Sequence, residues 1–194
     1  MTKGNVNFEL HCRFLKESDF EHLHETFLEA FSDYLIPFQI SVEQLRNHIR
    51  QNLVEFDQSV GIFTNQRMVG FSLNGFGEWN GLRTVYDAGT GVIPNFRGKR
   101  VGRRIFEFIL PHFGARGFEQ MLLEVISDNA RAVRLYESLG FEISRDLAYL
   151  ECSDGVRMPP PDGISIESDD HPDWTRFSEF AEMRTSWQIG RAHV

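Results

Sequence analysis

The residues that carry the clearest chemistry in this chain are Arg97-Gly98-Lys99-Arg100-Val101-Gly102. They follow a β-branched, glycine-containing stretch from Val85 to Ile93, which has the pattern of a strand with an irregular end. They precede apolar residues at Ile105, Phe108, Ile109 and Phe113, one face of a helix, with Arg103, Arg104 and Glu107 off it. A helix opening here leaves its first N–H groups without intrahelical partners and places partial positive charge at its end. With Arg97, Lys99 and Arg100 beside it, such an end suits a phosphate or pyrophosphate. The same residues also suit a plain strand–turn–helix corner whose basic side chains face water. The spacing is neither GxxxxGK[ST] nor GxGxxG, so neither a nucleoside-triphosphate loop nor a dinucleotide fingerprint is supported.

A second stretch adds to the first. Leu122 to Ile126 reads as a buried strand containing Glu124, and Ser127-Asp128-Asn129 as a turn ending in an N-cap. Ala130 to Leu139 is a short helix with Ala132, Val133, Leu135, Tyr136 and Leu139 on its apolar side. Gly140 supplies a left-handed C-cap, and Phe141 starts another strand.

The pair of motifs, RGKRVG and then N-x-x-A-x-x-x-Y-x-x-x-G-F, resembles the GCN5-related N-acetyltransferase (GNAT) superfamily over roughly residues 8 to 152. Arg97 to Gly102 is similar to that family's pyrophosphate loop, and Asn129 to Phe141 to its later cofactor-contacting helix. Arg100 departs from the pattern, standing where the family's loop usually has its first glycine. There it either crowds the pyrophosphate or adds a charge-assisted contact to it.

The resemblance implies the GNAT fold, an α/β (α+β) arrangement with a mixed, mostly antiparallel sheet flanked by helices. It implies acetyl-CoA as cofactor and transfer of the acetyl group to a primary amine. The backbone of Thr90, Gly91 and Val92 would meet the pantetheine arm as a strand does, and Arg97, Gly98, Lys99, Arg100, Val101 and Gly102 the pyrophosphate. Asn129 would contact the cofactor while capping its helix. Tyr136 would lie near the acetyl-CoA sulfur, where a phenol can donate to the departing thiolate; otherwise it is a core tyrosine. Glu124 resembles the glutamate that takes the amine's proton in the ribosomal-protein N-terminal acetyltransferases, and desolvation would raise its pKa toward a useful range. Its alternative is an ion pair that only shapes the pocket. Asp87 is a second carboxylate, placed to bind a cationic substrate, to serve as base, or to be capped by a neighbouring donor. In the family the first two helices and their loop line the acceptor side, so Tyr34, Phe38 and Gln39 are expected at the substrate, the alternative being aromatics packed on their own helices. No cysteine accompanies the loop or the Tyr136 helix, which points to direct attack in a ternary complex rather than an acetyl-enzyme. The competing reading is a non-catalytic acyl-CoA-binding half of a tandem protein.

The elements that must position these residues are legible from the N-terminus. Phe8 to Phe14 alternates as a first strand. Ser18 is expected to cap a helix through Phe31, with Phe20, Leu23, Phe27 and Phe31 on one face. Ser41-Val42-Glu43-Gln44 is a capping box opening a helix with Leu45, His48, Ile49 and Leu53 along one side. Strands around Asn65-Gln66-Arg67 and Trp79-Asn80-Gly81 form hairpins leading into the loop. Pro111 is expected to end or kink the next helix. Phe141 to Cys152 is expected as the last strand.

At 194 residues the chain has room for one full core plus a remainder. Residues 1–152 read as the GNAT domain and 153–163 as a stiff Pro-rich linker. Residues 164–188 resemble the start of a truncated second GNAT-like repeat, and 189–194 adapter or cloning sequence. The net charge of −8 disfavours nucleic acid as partner and is compatible with a cationic amine, whether a small molecule or a peptide. No apolar run is long enough for a membrane span, and the N-terminus lacks the apolar segment of a signal peptide, so the cytoplasm is the expected compartment. Two cysteines and scattered histidines offer no metal-ligand spacing, and a homodimer stays open.

Overall fold

The computed structural model describes residues 9–33 and 39–147. Its elements run β1 (His11–Phe14), α1 (Phe20–Ala30), α2 (Val42–Gln51), β2 (Val60–Thr64), β3 (Arg67–Trp79), β4 (Leu82–Val92), α3 (Val101–Ala115), β5 (Gln120–Leu123) and α4 (Ala130–Glu137). The strands form one sheet in sequence order, antiparallel except for the parallel β4–β5 pair.

Two tight turns set the sheet's register. Asn65 and Gln66 between β2 and β3, and Asn80 and Gly81 between β3 and β4, all have positive φ. Two consecutive residues of that kind match the strand twist of a two-residue hairpin. Consecutive residues of β3 then face opposite sides of the sheet. Phe71 stacks on Phe27 of α1 at 5.5 Å, whereas a Cβ at Gly70 would touch Val101 of α3 at 3.2 Å. The sheet is therefore sandwiched, α1 on one face and α3 on the other, and β2 and most of β3 are buried on both sides.

The helices follow their sequence signals with instructive exceptions. Ser41 caps α2 as a full capping box, its hydroxyl accepting from Gln44 N–H and the Gln44 side chain accepting from Ser41 N–H. Ser18 does not cap α1; it lies inside a 3₁₀ turn over Glu17–Asp19. The buried Asp19 carboxylate takes the Lys16 N–H there and pairs with Arg13 at 2.7 Å, which holds its pKa below the usual range. Pro111 does not end α3. The helix runs through it to Ala115, because Pro111 sits on the exposed face while Ile109 and Phe113 are buried in the core. Their burial outweighs one lost backbone bond.

The last part of the chain differs most from expectation. Residues 141–147 carry no strand, and 148–152 lie outside the described residues, as do the linker, the second-repeat segment and the terminal hexapeptide. Among the described residues no helix is long and apolar enough to cross a membrane.

Candidate active site

The parallel ladder between β4 and β5 stops early. Asp87 opposite Leu123 is its last pair, while β4 continues to Val92 paired with β3 alone. The cause is a bulge. Gly89 pairs with Leu73 and Asp87 with Asn74, leaving Ala88 without a partner on β3. Beyond the bulge, Thr90, Gly91 and Val92 present a sheet edge toward an open cleft of about 820 Å³. A strand-like ligand can hydrogen-bond to such an edge.

One end of the cleft is built to receive an anion. Arg100, the N-cap of α3, has left-handed backbone (φ 62°) and provides no side-chain cap. The N–H groups of Val101, Gly102 and Arg103 open the helix at the cleft wall, and the first intrahelical bond of the end is Arg104 N–H to Arg100 C=O. An uncapped N-terminus of a fifteen-residue helix, with Lys99 and Arg100 exposed beside it, fits a pyrophosphate. Gly102 sits close under α4: a Cβ there would meet the end of the Leu135 side chain at 2.9 Å and make it shift. The loop and α4 are thereby packed against each other.

Arg97 also lines the cleft, but its side chain is engaged within the fold. Its guanidinium donates to both Asp33 oxygens at 2.8 Å, to Ala30 C=O at 2.7 Å and, through Nε, to Val92 C=O at 3.1 Å. These bonds tie the end of β4 to the C-terminal end of α1, and Arg97 holds Asp33 below its ordinary pKa. The loop's first cation is thus a brace within the fold.

The acid–base candidates line the same cleft. Asn129 caps α4, its Oδ1 accepting from Ala132 N–H at 3.2 Å, and it lines the cleft. Tyr136, one face of α4 later, also lines the cleft and is half-buried, its ring edge-on to Phe106 (5.5 Å) and near Phe141 (5.7 Å). Glu124 does not lie inside a buried strand as expected. It is the first residue past β5, exposed and lining the cleft, because the bulge leaves β5 nothing further to pair with. Partial burial raises its pKa, opposed by Arg145. Asp87 is buried. Its Oδ1 accepts from Gly89 N–H at 3.0 Å and its Oδ2 from Thr90 O–H at 2.8 Å, while desolvation pushes its pKa up to about 6. Tyr34 and Phe38 lie outside the described residues. His48 was noted in the sequence only as part of a helical face. It donates from Nε2 to Ala88 C=O at 2.7 Å, a contact forty residues long that no local pattern signals.

The geometry has known counterparts. The model of the Acetyltransferase (GNAT) family matches residues 20–141. Over 124 residues, 58% of this chain, the sequence is 36% identical to the mycothiol acetyltransferase of Thermobispora bispora, covering 39% of that protein. It is 32% identical over 104 residues to the [ribosomal protein bS18]-alanine N-acetyltransferase of Escherichia coli, covering 48% of this chain and 70% of that one. The chain thus spans about two-fifths of the first relative's length. Among solved structures, an aminoglycoside N-acetyltransferase in complex with CoA superposes with a TM-score of 0.58 at 14% identity, covering 77% of this chain and 99% of the other. The Escherichia coli ribosomal-protein-S18-alanine N-acetyltransferase superposes with a TM-score of 0.56 at 21% identity, covering 69% and 78%. At these identities the superpositions speak for the fold.

Proposed function

Since this chain belongs to the acetyltransferase (GNAT) family, we propose that it is an N-acetyltransferase moving the acetyl group of acetyl-CoA onto a primary amine by direct attack. The observation that carries the reading is one cleft lined by an uncapped helix end, by an open strand edge and by Glu124 and Tyr136.

The residues present fit acetyl-CoA. The N–H groups of Val101, Gly102 and Arg103, with Gly98, Lys99 and Arg100, would hold the pyrophosphate, and Thr90, Gly91 and Val92 the pantetheine arm. Asn129 would border that arm at the start of α4. When bound, acetyl-CoA supplies a thioester, an acyl group activated toward amines.

The chain's own part is acid–base work and placement. An amine attacks only when neutral, so the ammonium form must lose a proton. Glu124 faces the cleft with a raised pKa, and no hydrogen bond is made to it among the described residues, so its carboxylate oxygens accept that proton directly or through water. Tyr136 holds a proton at its phenol oxygen for the group that departs. Packing against Phe106 and Phe141 fixes its ring. The amine is a small molecule or a peptide terminus, in keeping with the relatives named for mycothiol and for a ribosomal-protein alanine.

Calorimetric titration with acetyl-CoA, followed by thiol release over an amine panel, tests this reading. Micromolar binding with turnover that Tyr136→Phe removes supports it. Binding without turnover of any amine would replace it with the non-catalytic acyl-CoA-binding half. Failure of the folded protein to bind would overturn both.

A further inference from the structure

We propose that His48 and Asp87 are positioning residues that together grip the Ala88–Gly89 peptide and so fix the open edge of β4 beside the cleft. The proposal rests on reading that cleft as the acyl-CoA site.

A bulge residue leaves the ladder, and its peptide loses the partners that neighbouring strands give. A peptide group left so, away from water, is costly. In this chain both ends of one peptide are met by side chains. The carbonyl of Ala88 accepts from His48 Nε2 at 2.7 Å, and the N–H of Gly89, the other end of the same plane, donates to Asp87 Oδ1 at 3.0 Å. Asp87 Oδ2 takes the Thr90 hydroxyl at 2.8 Å, which extends the grip to the first residue of the open edge.

The grip on the carbonyl is itself supported. A carbonyl only accepts, so His48 carries its hydrogen on Nε2, and Nδ1 is an acceptor. Asn52 Nδ2 faces that Nδ1 at 3.3 Å and also donates to the backbone oxygen of His48 at 2.9 Å. The second bond fixes the amide's orientation, since two oxygens would repel there. Asn52 is only 2% exposed, and its backbone carbonyl lies so close to Gly75 of β3 that a Cβ at that glycine would collide with it. The end of α2 is thus seated on the sheet through Gly75 and holds Ala88 through His48. The end of α2 and the open edge of β4 are thereby linked through one chain of contacts.

This placement separates Asp87 from Glu124. Both oxygens of Asp87 are engaged within two to three residues of itself and the residue is buried, so its carboxylate shapes backbone. Glu124 lies exposed in the same cleft.

The test compares pairs of variants with two readouts. His48→Gln places an amide N–H near the position of Nε2, whereas His48→Phe keeps a ring without a donor. Asp87→Asn keeps an Oδ1 acceptor, whereas Asp87→Leu has none. In the CoA-free protein, exchange of the Gly89 amide is followed by NMR; CoA affinity is then measured by calorimetry. His48→Phe and Asp87→Leu are expected to speed Gly89 exchange and weaken CoA by on the order of tenfold. His48→Gln and Asp87→Asn should stay within about threefold of wild type in both. If His48→Phe does not fold, His48→Asn, whose shorter amide falls short of Ala88, takes its place with the same expectation. Wild-type behaviour of His48→Phe, or of His48→Asn in its place, would overturn the proposal. So would an Asp87→Asn protein as impaired as Asp87→Leu, which would assign the work to the charge. If wild type binds no CoA, the acyl-CoA reading falls, while Gly89 exchange still decides the grip.

Discussion

Arg97 and Asp33 are joined by a two-toothed ion pair, both N···O distances 2.8 Å, that ties the phosphate-type loop to the end of α1. The cation that opens the motif therefore works on the fold. Arg97→Ala is expected to lower stability by about 1–2 kcal/mol, since the pair is partly solvated but the bonds to Ala30 and Val92 are lost with it. Urea unfolding measures that loss. A guanidinium serving the ligand directly would instead leave unfolding unchanged and weaken CoA binding in a salt-dependent way.

Arg100 occupies left-handed backbone at the N-cap of α3 without capping it. A side chain there costs about 1–2 kcal/mol, part of which glycine returns through its looser unfolded chain. Arg100→Gly should therefore raise stability by about 1 kcal/mol or less. Its effect on CoA tells which of two roles the side chain has. Weaker binding with a shallower salt dependence means a contact to the anion, and tighter binding means crowding.

The motif residues were legible in the sequence because their geometry is local. A glycine-punctuated loop before a helix, an asparagine cap and a tyrosine on the following helix are fixed by spacing within one turn or loop. The capping box at Ser41 and the Asn80-Gly81 turn were legible for the same reason. What escaped was set by partners far along the chain. The brace between Arg97 and Asp33 spans 64 residues, and the contact of His48 with Ala88 spans 40. Glu124 was placed inside a strand because Leu-Glu-Val reads as one. The strand ends at Leu123 because its partner bulges, and that bulge is visible only once β3 and β4 are paired. Pro111 does not end its helix, its local penalty outweighed by Ile109 and Phe113 in the core.

Burial raises the pKa of Asp87 to about 6, so folding favours its protonated form. Its contribution to stability is best below the unfolded value of about 4 and is lost as pH rises through about 6. Above that the ionised group costs up to about 3 kcal/mol. Asp87→Asn keeps the acceptor and removes the charge. It should unfold at a higher temperature than wild type at pH 8 and at nearly the same temperature at pH 4. A difference that does not change with pH would show that desolvation of Asp87 is not what sets it.

Tyr136 stacks edge-on between Phe106 and Phe141, contacts that phenylalanine reproduces. Tyr136→Phe keeps those ring contacts and should leave CoA affinity unchanged. Turnover should fall by roughly a hundredfold, because only the proton donor is gone. A melting temperature that drops as far as the rate would make this tyrosine a core residue.

Glu124 and Asp87 lie one step apart across the end of the β4–β5 ladder, and both have raised pKa values, so a pH profile alone does not separate them. Substitution does. A base must be ionised to accept a proton, so kcat/KM should decline as pH falls through the pKa of the group responsible. If that group is Glu124, Glu124→Gln lowers kcat by roughly a hundredfold and removes the carboxylate's inflection from the acidic limb. Asp87 would still titrate near 6 in that variant, and with the amine's proton no longer passing through a carboxylate, the rate would follow the amine's own ionisation alone. An acidic limb persisting near pH 6 in Glu124→Gln, with kcat close to wild type, would transfer the base to Asp87. That outcome would also mean that the Asp87 carboxylate releases Gly89 or Thr90 during turnover, since both of its oxygens are engaged at rest.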